Sequence, residues 1–275
     1  MQLLFPSHLV PSVVAFVEMN SIILLALTSG GTLFRVQFEG PQFFSELAGK
    51  TRYSAYPVAS PNIAGAMLMH AASPREVVVA LENGNLLHLT PGGATLDEKE
   101  ISAANLFSRF MTAFGLRTTD DSRPVCLKTI ETPMELFAFV ISLDGKLRVW
   151  GINKRQMLGE AESVSSGEAT PEDALAVVLD KQDGLDDVGA SAIVYVPDSP
   201  PSIKVLRFDL SGGNAFRWDE STFPAPSGFS RMDCDGERVW LLCSDSQDAR
   251  EMHAPSIALH WAPLERLDGA HAVFI

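Results

Sequence analysis

The stretch that decides the fold is Glu135 to Gly151, ELFAFVISLDGKLRVWG, in which two apolar runs flank an Asp-Gly pair. Asp144-Gly145 is a strong hairpin signal. A type I′ turn needs positive φ at both central residues, which Gly adopts freely and Asp tolerates, and its twist suits the strands on either side. Leu136 to Ile141 and Leu147 to Trp150 are therefore predicted to be antiparallel neighbours. Phe137 to Ile141 is apolar throughout, as in a strand covered on both faces, whereas Leu147 and Val149 alternate with Lys146, Arg148 and Trp150. A hairpin covered on both sides cannot stand alone, so recurrence of the pattern would mean stacked sheets.

It does recur. SIILLALT and TLFRVQF flank Ser29-Gly30-Gly31, and EVVVAL and NLLHL flank Asn83-Gly84, with Pro91-Gly92-Gly93 predicted to close that unit. SAIVYV and IKVLRFDL flank Pro200-Pro201, with NAFRWDES following, and RMDCD, ERVWLLC and SIALHWA make a fifth group. The apolar run Leu175 to Leu179 is a first strand for the fourth unit. Gly84 lies 54 residues after Gly30, Gly145 lies 61 after Gly84, and Pro200 lies 55 after Gly145. Units of that length, each with four short strands, predict an all-β, WD40-like, irregular β-propeller. About five blades are visible, as part of a ring of about seven. Residues 1–275 are thus expected to form one propeller domain, incomplete at both ends, since HAVFI at 271–275 reads as a strand just beginning.

Two segments interrupt the pattern. Within 103–116, Leu106, Phe107, Phe110, Met111 and Phe114 fall on one helical stripe, with Gly115 as a C-cap, so a short helical insertion is expected. Its apolar stripe would either cover the flank of the sheets or dock a partner, through Phe107, Phe110, Met111 and Phe114. Residues 160–187 carry nine acidic residues against one cation, Lys181, and predict a solvated acidic loop. Ser163, Ser165, Ser166 and Thr170 make it a phosphorylation candidate.

Composition narrows the function. A net charge of -13 argues against direct nucleic-acid binding, which needs clustered Lys and Arg. Three cysteines without CxxC spacing suggest neither a disulfide framework nor a zinc site. Ile22 to Leu27 is too short to span a bilayer, and no Lys or Arg precedes Arg35 to make the basic start of a signal peptide.

Catalytic patterns fail one by one. Ser142-Leu143-Asp144-Gly145 approaches a sialidase-type Asp box, but its Gly comes one residue early, and Asp144 is better read as a turn residue. The paired glycines lack the Lys-Ser/Thr of a phosphate loop, no HExxH and no G-x-S-x-G occur, and His253 and His260 have no third ligand nearby. The expectation is no enzyme, no cofactor, no metal and no small-molecule ligand. Lys146, Arg148, Lys154 and Arg155 form the one basic cluster, read as a solvated face balanced by the following acids, or, at Lys154 and Arg155, as a docking patch for an acidic partner. Trp150, Trp218, Trp240 and Trp261 fall in strands or at their ends and are read as packing between blades, or else as peptide-binding aromatics.

Ser122 to Leu158, with SRPVCLKTI followed by LFAFVISLDGKLRVWGINKRQML, resembles the N-terminal propeller of the large scaffold nucleoporin of the Y-shaped outer-ring complex, the hundred-twenty to hundred-sixty kilodalton class. IILLALTSGGTLFRVQF and NLFSRFMTAFGL agree with that family in order and spacing, so the resemblance spans Leu3 to Leu158. It implies a non-catalytic scaffold at the nuclear pore complex of the nuclear envelope, partnered by other scaffold nucleoporins and supporting protein import and mRNA export. The family's first blade and long helical region are absent here, and no binding residue is carried over. The alternative reading is a generic propeller adaptor for peptide motifs, with Trp150 as a contact.

Overall fold

The computed structural model of the chain describes residues 11–18, 23–28, 32–38, 53–58, 63, 65–73, 76–92, 95–102, 122–162, 164, 170, 173–180, 189–210, 218–225, 229–234, 238–243, 250–254 and 257–263. The helical insertion at 103–116, the serines of the acidic stretch and the terminal HAVFI lie outside these residues.

Among the described residues, twenty strands form five four-stranded sheets. The first contains β1 (Pro11–Glu18), β2 (Ile23–Thr28), β3 (Leu33–Phe38) and β4 (Tyr53–Pro57); the second contains β5 (Ala66–Ser73), β6 (Glu76–Leu81), β7 (Leu86–Gly92) and β8 (Thr95–Ile101). The third has β9 (Pro124–Glu131), β10 (Leu136–Ser142), β11 (Leu147–Gly151) and β12 (Gln156–Ala161), and the fourth β13 (Leu175–Asp180), β14 (Gly189–Val196), β15 (Ser202–Asp209) and β16 (Trp218–Pro224). These four sheets are sequential meanders. The fifth comprises β17 (Phe229–Cys234), β18 (Arg238–Cys243), β19 (Arg250–Ala254) and β20 (Ile257–Pro263). Its order is β17-β18-β20-β19, with β20 parallel to β18 and antiparallel to β19. The chain divides into two compact units, one holding the first two sheets with residues 133–136 and 152–156, the other holding the rest of the third sheet and the last two.

Each unit is organised by central strands that are apolar on both faces. In the first, Leu25, Leu27, Leu33, Val77, Val79, Leu87 and Leu89 share one core. In the second, every residue of β10 is buried, and Phe139, Ile141, Leu147 and Val149 pack with Ala192, Ile193, Val205 and Leu241. Burying a side chain of this size contributes about 1.5 to 3 kcal/mol, so a fully covered strand is where the hydrophobic drive concentrates. Phe139 meets Phe208 edge to face at 5.6 Å, and Tyr195 stacks on Phe229 at 3.9 Å, tying neighbouring sheets of this unit. β13 lies beside β17, where Met232 N–H donates to the Asp173 carbonyl at 2.9 Å.

The two Gly hairpins form as predicted in position but not in type. Only Gly145, not Asp144, has positive φ, at 76°. Gly145 N–H donates to the Ser142 carbonyl at 2.9 Å and Ser142 N–H to the Lys146 carbonyl at 3.1 Å, which is a type I turn over Leu143-Asp144 closed by a left-handed Gly. Leu81 to Asn85 repeats it: Gly84 has φ 82°, its N–H donates to the Leu81 carbonyl at 2.8 Å, and Leu81 N–H donates to the Asn85 carbonyl at 2.9 Å. In both, the preceding Asx side chain accepts the N–H two residues on, Asn83 from Asn85 at 3.0 Å and Asp144 from Lys146 at 3.2 Å. The reason is economy of strain: this loop asks for one left-handed residue, and Gly supplies it, whereas I′ would also force Asp144 there.

Pro91-Gly92 does not close the second unit. Both residues continue β7, facing Leu96 and Thr95 of β8. Pro lacks only its N–H and is tolerated at a strand end.

Candidate interaction site

The third sheet carries the basic cluster, and the structure divides it into two groups with different fates. Arg148 projects from β11, one pair from the hairpin, opposite Val140. Its Nε donates to Glu160 Oε2 at 2.8 Å, its Nη1 donates to Ser142 Oγ at 2.8 Å, and its Nη2 pairs with Asp144 Oδ2. Lys146 donates to Glu160 Oε1 at 3.0 Å and lies 3.7 Å from Glu162. Lys146 and Arg148 thus share a face at i, i+2, as their strand spacing predicts, and the start of the acidic stretch neutralises them.

The Arg148 side chain is only 11% exposed. Burial works against its charge, but the hydrogen bond and attraction of Asp144, then of Glu160, outweigh that penalty and hold the guanidinium above its ordinary value. Asp144 is therefore a structural residue, whose carboxylate clamps Arg148 and closes the turn through Lys146 N–H. Val164 N–H completes the arrangement by donating to the Gly145 carbonyl at 2.8 Å. A second such pair, His88 with Glu76, joins β7 to β6.

Lys154 and Arg155 sit in the β11–β12 turn, both exposed, and among the described residues no acceptor is paired with either side chain. Arg155 N–H donates to the Ile152 carbonyl at 3.2 Å, and Arg155 has φ 54°. This is again a type I turn followed by a left-handed residue, with Arg in the place that Gly84 and Gly145 hold elsewhere. Asn153 N–H donates to Glu135 Oε1 at 2.6 Å, and Ile152 N–H donates to the Leu136 carbonyl at 2.9 Å. These bonds fasten the β11–β12 turn to the β9–β10 turn, at whose tip Met134 is 86% exposed. Sequence reasoning misses both Glu135 and Met134. A Glu at the mouth of an apolar run carries no signal of burial, and a single Met in Thr-Pro-Met-Glu carries none of exposure.

The remaining candidates separate cleanly. Trp150 is 1% exposed and belongs to the core, which removes it as a peptide contact. Trp218, 38% exposed, lies near Phe208 on the outer strand β16, and Trp240 is half-buried. Thr170 is only 6% exposed. Phe107, Phe110, Met111 and Phe114 lie outside the described residues. Among the described residues no three His, Cys, Asp or Glu side chains group as a metal site, and no helix is long and apolar enough to cross a membrane.

Comparison with curated protein sequences gives no match. The C-terminal WD40 domain of Sif2 is similar in fold, with a TM-score of 0.51 at 9% identity over 90% of this chain and 58% of that one. The WD40 domain of SCAP from fission yeast gives a TM-score of 0.45 at 10% identity, covering 84% of this chain and 54% of that one. The chain therefore spans little more than half the length of these two solved chains, and at 9% identity the likeness to the Sif2 domain is one of fold alone. Residues 1–224 match the family described as "Nucleoporin Nup120/160, beta-propeller domain". That match, over most of the chain, makes it a member of the Nup120/160 nucleoporin β-propeller family, a structural component family of the nuclear pore complex.

Proposed function

We propose that the chain serves as a rigid propeller element of the outer-ring scaffold of the nuclear pore, acting through contacts with other scaffold nucleoporins of the Y-shaped complex and so supporting protein import and mRNA export. The observation that carries this reading is the family match over residues 1–224. The described polar clusters support it: the charged groups in the third sheet clamp a turn, and none converges as an acid, base or nucleophile around a shared point. Stiff stacked sheets with variable turns suit a part that presents surfaces. On this reading the chain needs no cofactor, takes no small-molecule substrate and makes no direct nucleic-acid contact, in keeping with its net charge of -13.

The test is affinity purification of the tagged full-length endogenous protein at moderate salt, followed by mass spectrometry. Recovery of the outer-ring scaffold subunits in comparable amounts is the expected result. A different stable set of partners would overturn the reading.

A further inference from the structure

We propose that the corner made by the β9–β10 and β11–β12 turns is a docking site for an acidic segment of a partner protein with an apolar residue between its carboxylates. Met134 receives the apolar residue, and Lys154 and Arg155 receive the acids. The proposal rests on the reading of this chain as a protein-contact module and names the chemistry of one contact.

Three independent observations meet at this corner. The first is charge. The chain is strongly acidic, and Lys146, Arg148 and Lys204 are all held by its own carboxylates. Lys154 and Arg155 are adjacent and exposed, with no acceptor paired to them among the described residues. Glu135, the nearest carboxylate along the linked turn, is buried and directed to the Asn153 N–H, so it does not stand in front of them.

The second is backbone conformation. Two other turns of the same plan place Gly at the left-handed position, and this one places Arg there with φ 54°. A long charged side chain held in a sparsely populated backbone region, with no acceptor paired to it among the described residues, suits a recognition role better than a merely structural turn.

The third is Met134, 86% exposed and the most exposed of the large apolar side chains among the described residues. It is fixed beside the cations by the Asn153–Glu135 bond of 2.6 Å and the Ile152–Leu136 bond of 2.9 Å. A flexible, polarizable thioether is suited to packing against an apolar side chain of a partner.

The complementary occupant is therefore acidic and apolar together. The chain's own acids at the start of the 160–187 stretch are engaged elsewhere, since Glu160 and Glu162 lie on Lys146.

The experiment is fluorescence anisotropy with the full chain and a labelled peptide, DELFED, against two controls, DESSED and KKLFKK. Wild-type protein should bind DELFED, bind DESSED several-fold more weakly and not bind KKLFKK, with affinity falling as salt rises. Lys154→Glu with Arg155→Glu should weaken DELFED binding by roughly tenfold or more, and Met134→Ser by roughly threefold. Arg155→Gly removes the cation while giving the turn its preferred residue, so weaker binding at unchanged or raised thermal stability separates recognition from misfolding. Equal binding by wild type and the double charge reversal, or no binding by wild type, would overturn the proposal. So would self-association that depends on Lys154 and Arg155 without peptide binding, which would make a second copy the occupant. The purification described above fails or succeeds separately. If wild type and the double variant recover the same scaffold subunits, the pore reading stands while this corner is dispensable for them.

Discussion

The turn at Ser142 to Gly145 and the turn at Ile152 to Arg155 have one backbone plan and opposite surroundings. In the first, Gly takes the left-handed position, and Asp144, Arg148, Ser142 and Glu160 close over the loop. In the second, Arg takes that position and two cations stand in solvent. The difference separates a turn built for the fold from a turn that departs from what the fold prefers. Among the described residues no acceptor is paired with the strained Arg155 side chain, and this is the ground for proposing a partner there.

Perturbing each turn sharpens the contrast. Arg148→Met keeps the aliphatic stem but strands Asp144 and Glu160 without their guanidinium. In a half-buried network this should lower unfolding free energy by about 2 to 3 kcal/mol, read from the urea midpoint, with no effect on DELFED binding. Gly84→Ala tests the same loop where it is crowded: a Cβ there would lie 2.8 Å from Ser122 Oγ and 2.9 Å from its Cβ, on top of the positive φ. A loss of about 2 kcal/mol is expected, and a loss of only about 1 kcal/mol, the cost of a left-handed φ alone, would show that Ser122 moves aside freely. For Gly145→Ala the left-handed φ of 76° sets a cost of at least about 1 kcal/mol. Arg155→Gly should go the other way, stabilising by about 0.5 kcal/mol, because it relieves left-handed strain at some cost in unfolded-chain entropy. If Arg155→Gly destabilises instead, the guanidinium has an internal role and the two turns are alike after all.

The smallest expected effect is that of pH. The folded-state value of Arg148 is raised, so its contribution is fully present below the unfolded value and is lost only as pH rises through the still higher folded one. That window lies beyond ordinary working conditions. The destabilisation by Arg148→Met should therefore be the same at about pH 7 and about pH 9, and a decline between them would mean the guanidinium is not held as described.

What is legible in the sequence follows burial. β2, β6, β10 and β14 announce themselves, since a strand covered on both faces is apolar at nearly every position, and the hairpins after them carry Gly or Pro. The outer strands are hidden for the converse reason. Every residue of β16 is exposed or half-buried, and β8, TLDEKEI, is rich in charge, so only pairing with β15 and β7 defines them. β12 reads as a polar connection because its apolar residues are few. Turn type escapes the sequence because Asp-Gly fits two loop plans, and the choice depends on hydrogen bonds across the hairpin. The basic cluster is visible as a cluster, but its division is not: Glu160 lies 12 residues from Arg148 in sequence, and no spacing rule links them. Exposure of Met134 and burial of Glu135 are properties of how two turns meet, which a linear pattern does not encode.

The fifth sheet carries a consequence for the order in which the protein is made. In the first four sheets each strand pairs with the one synthesised just before it, so every sheet can assemble as its segment leaves the ribosome. In the fifth, β19 neighbours only β20, and β20 inserts between β19 and β18. β19 must therefore wait, unpaired, for a strand that does not yet exist when it emerges. The parallel β18–β20 pair also closes a longer loop than the hairpins at Gly84 and Gly145, a slower event by its entropy. During synthesis this sheet is the place where a chaperone or a neighbouring strand would find an open edge.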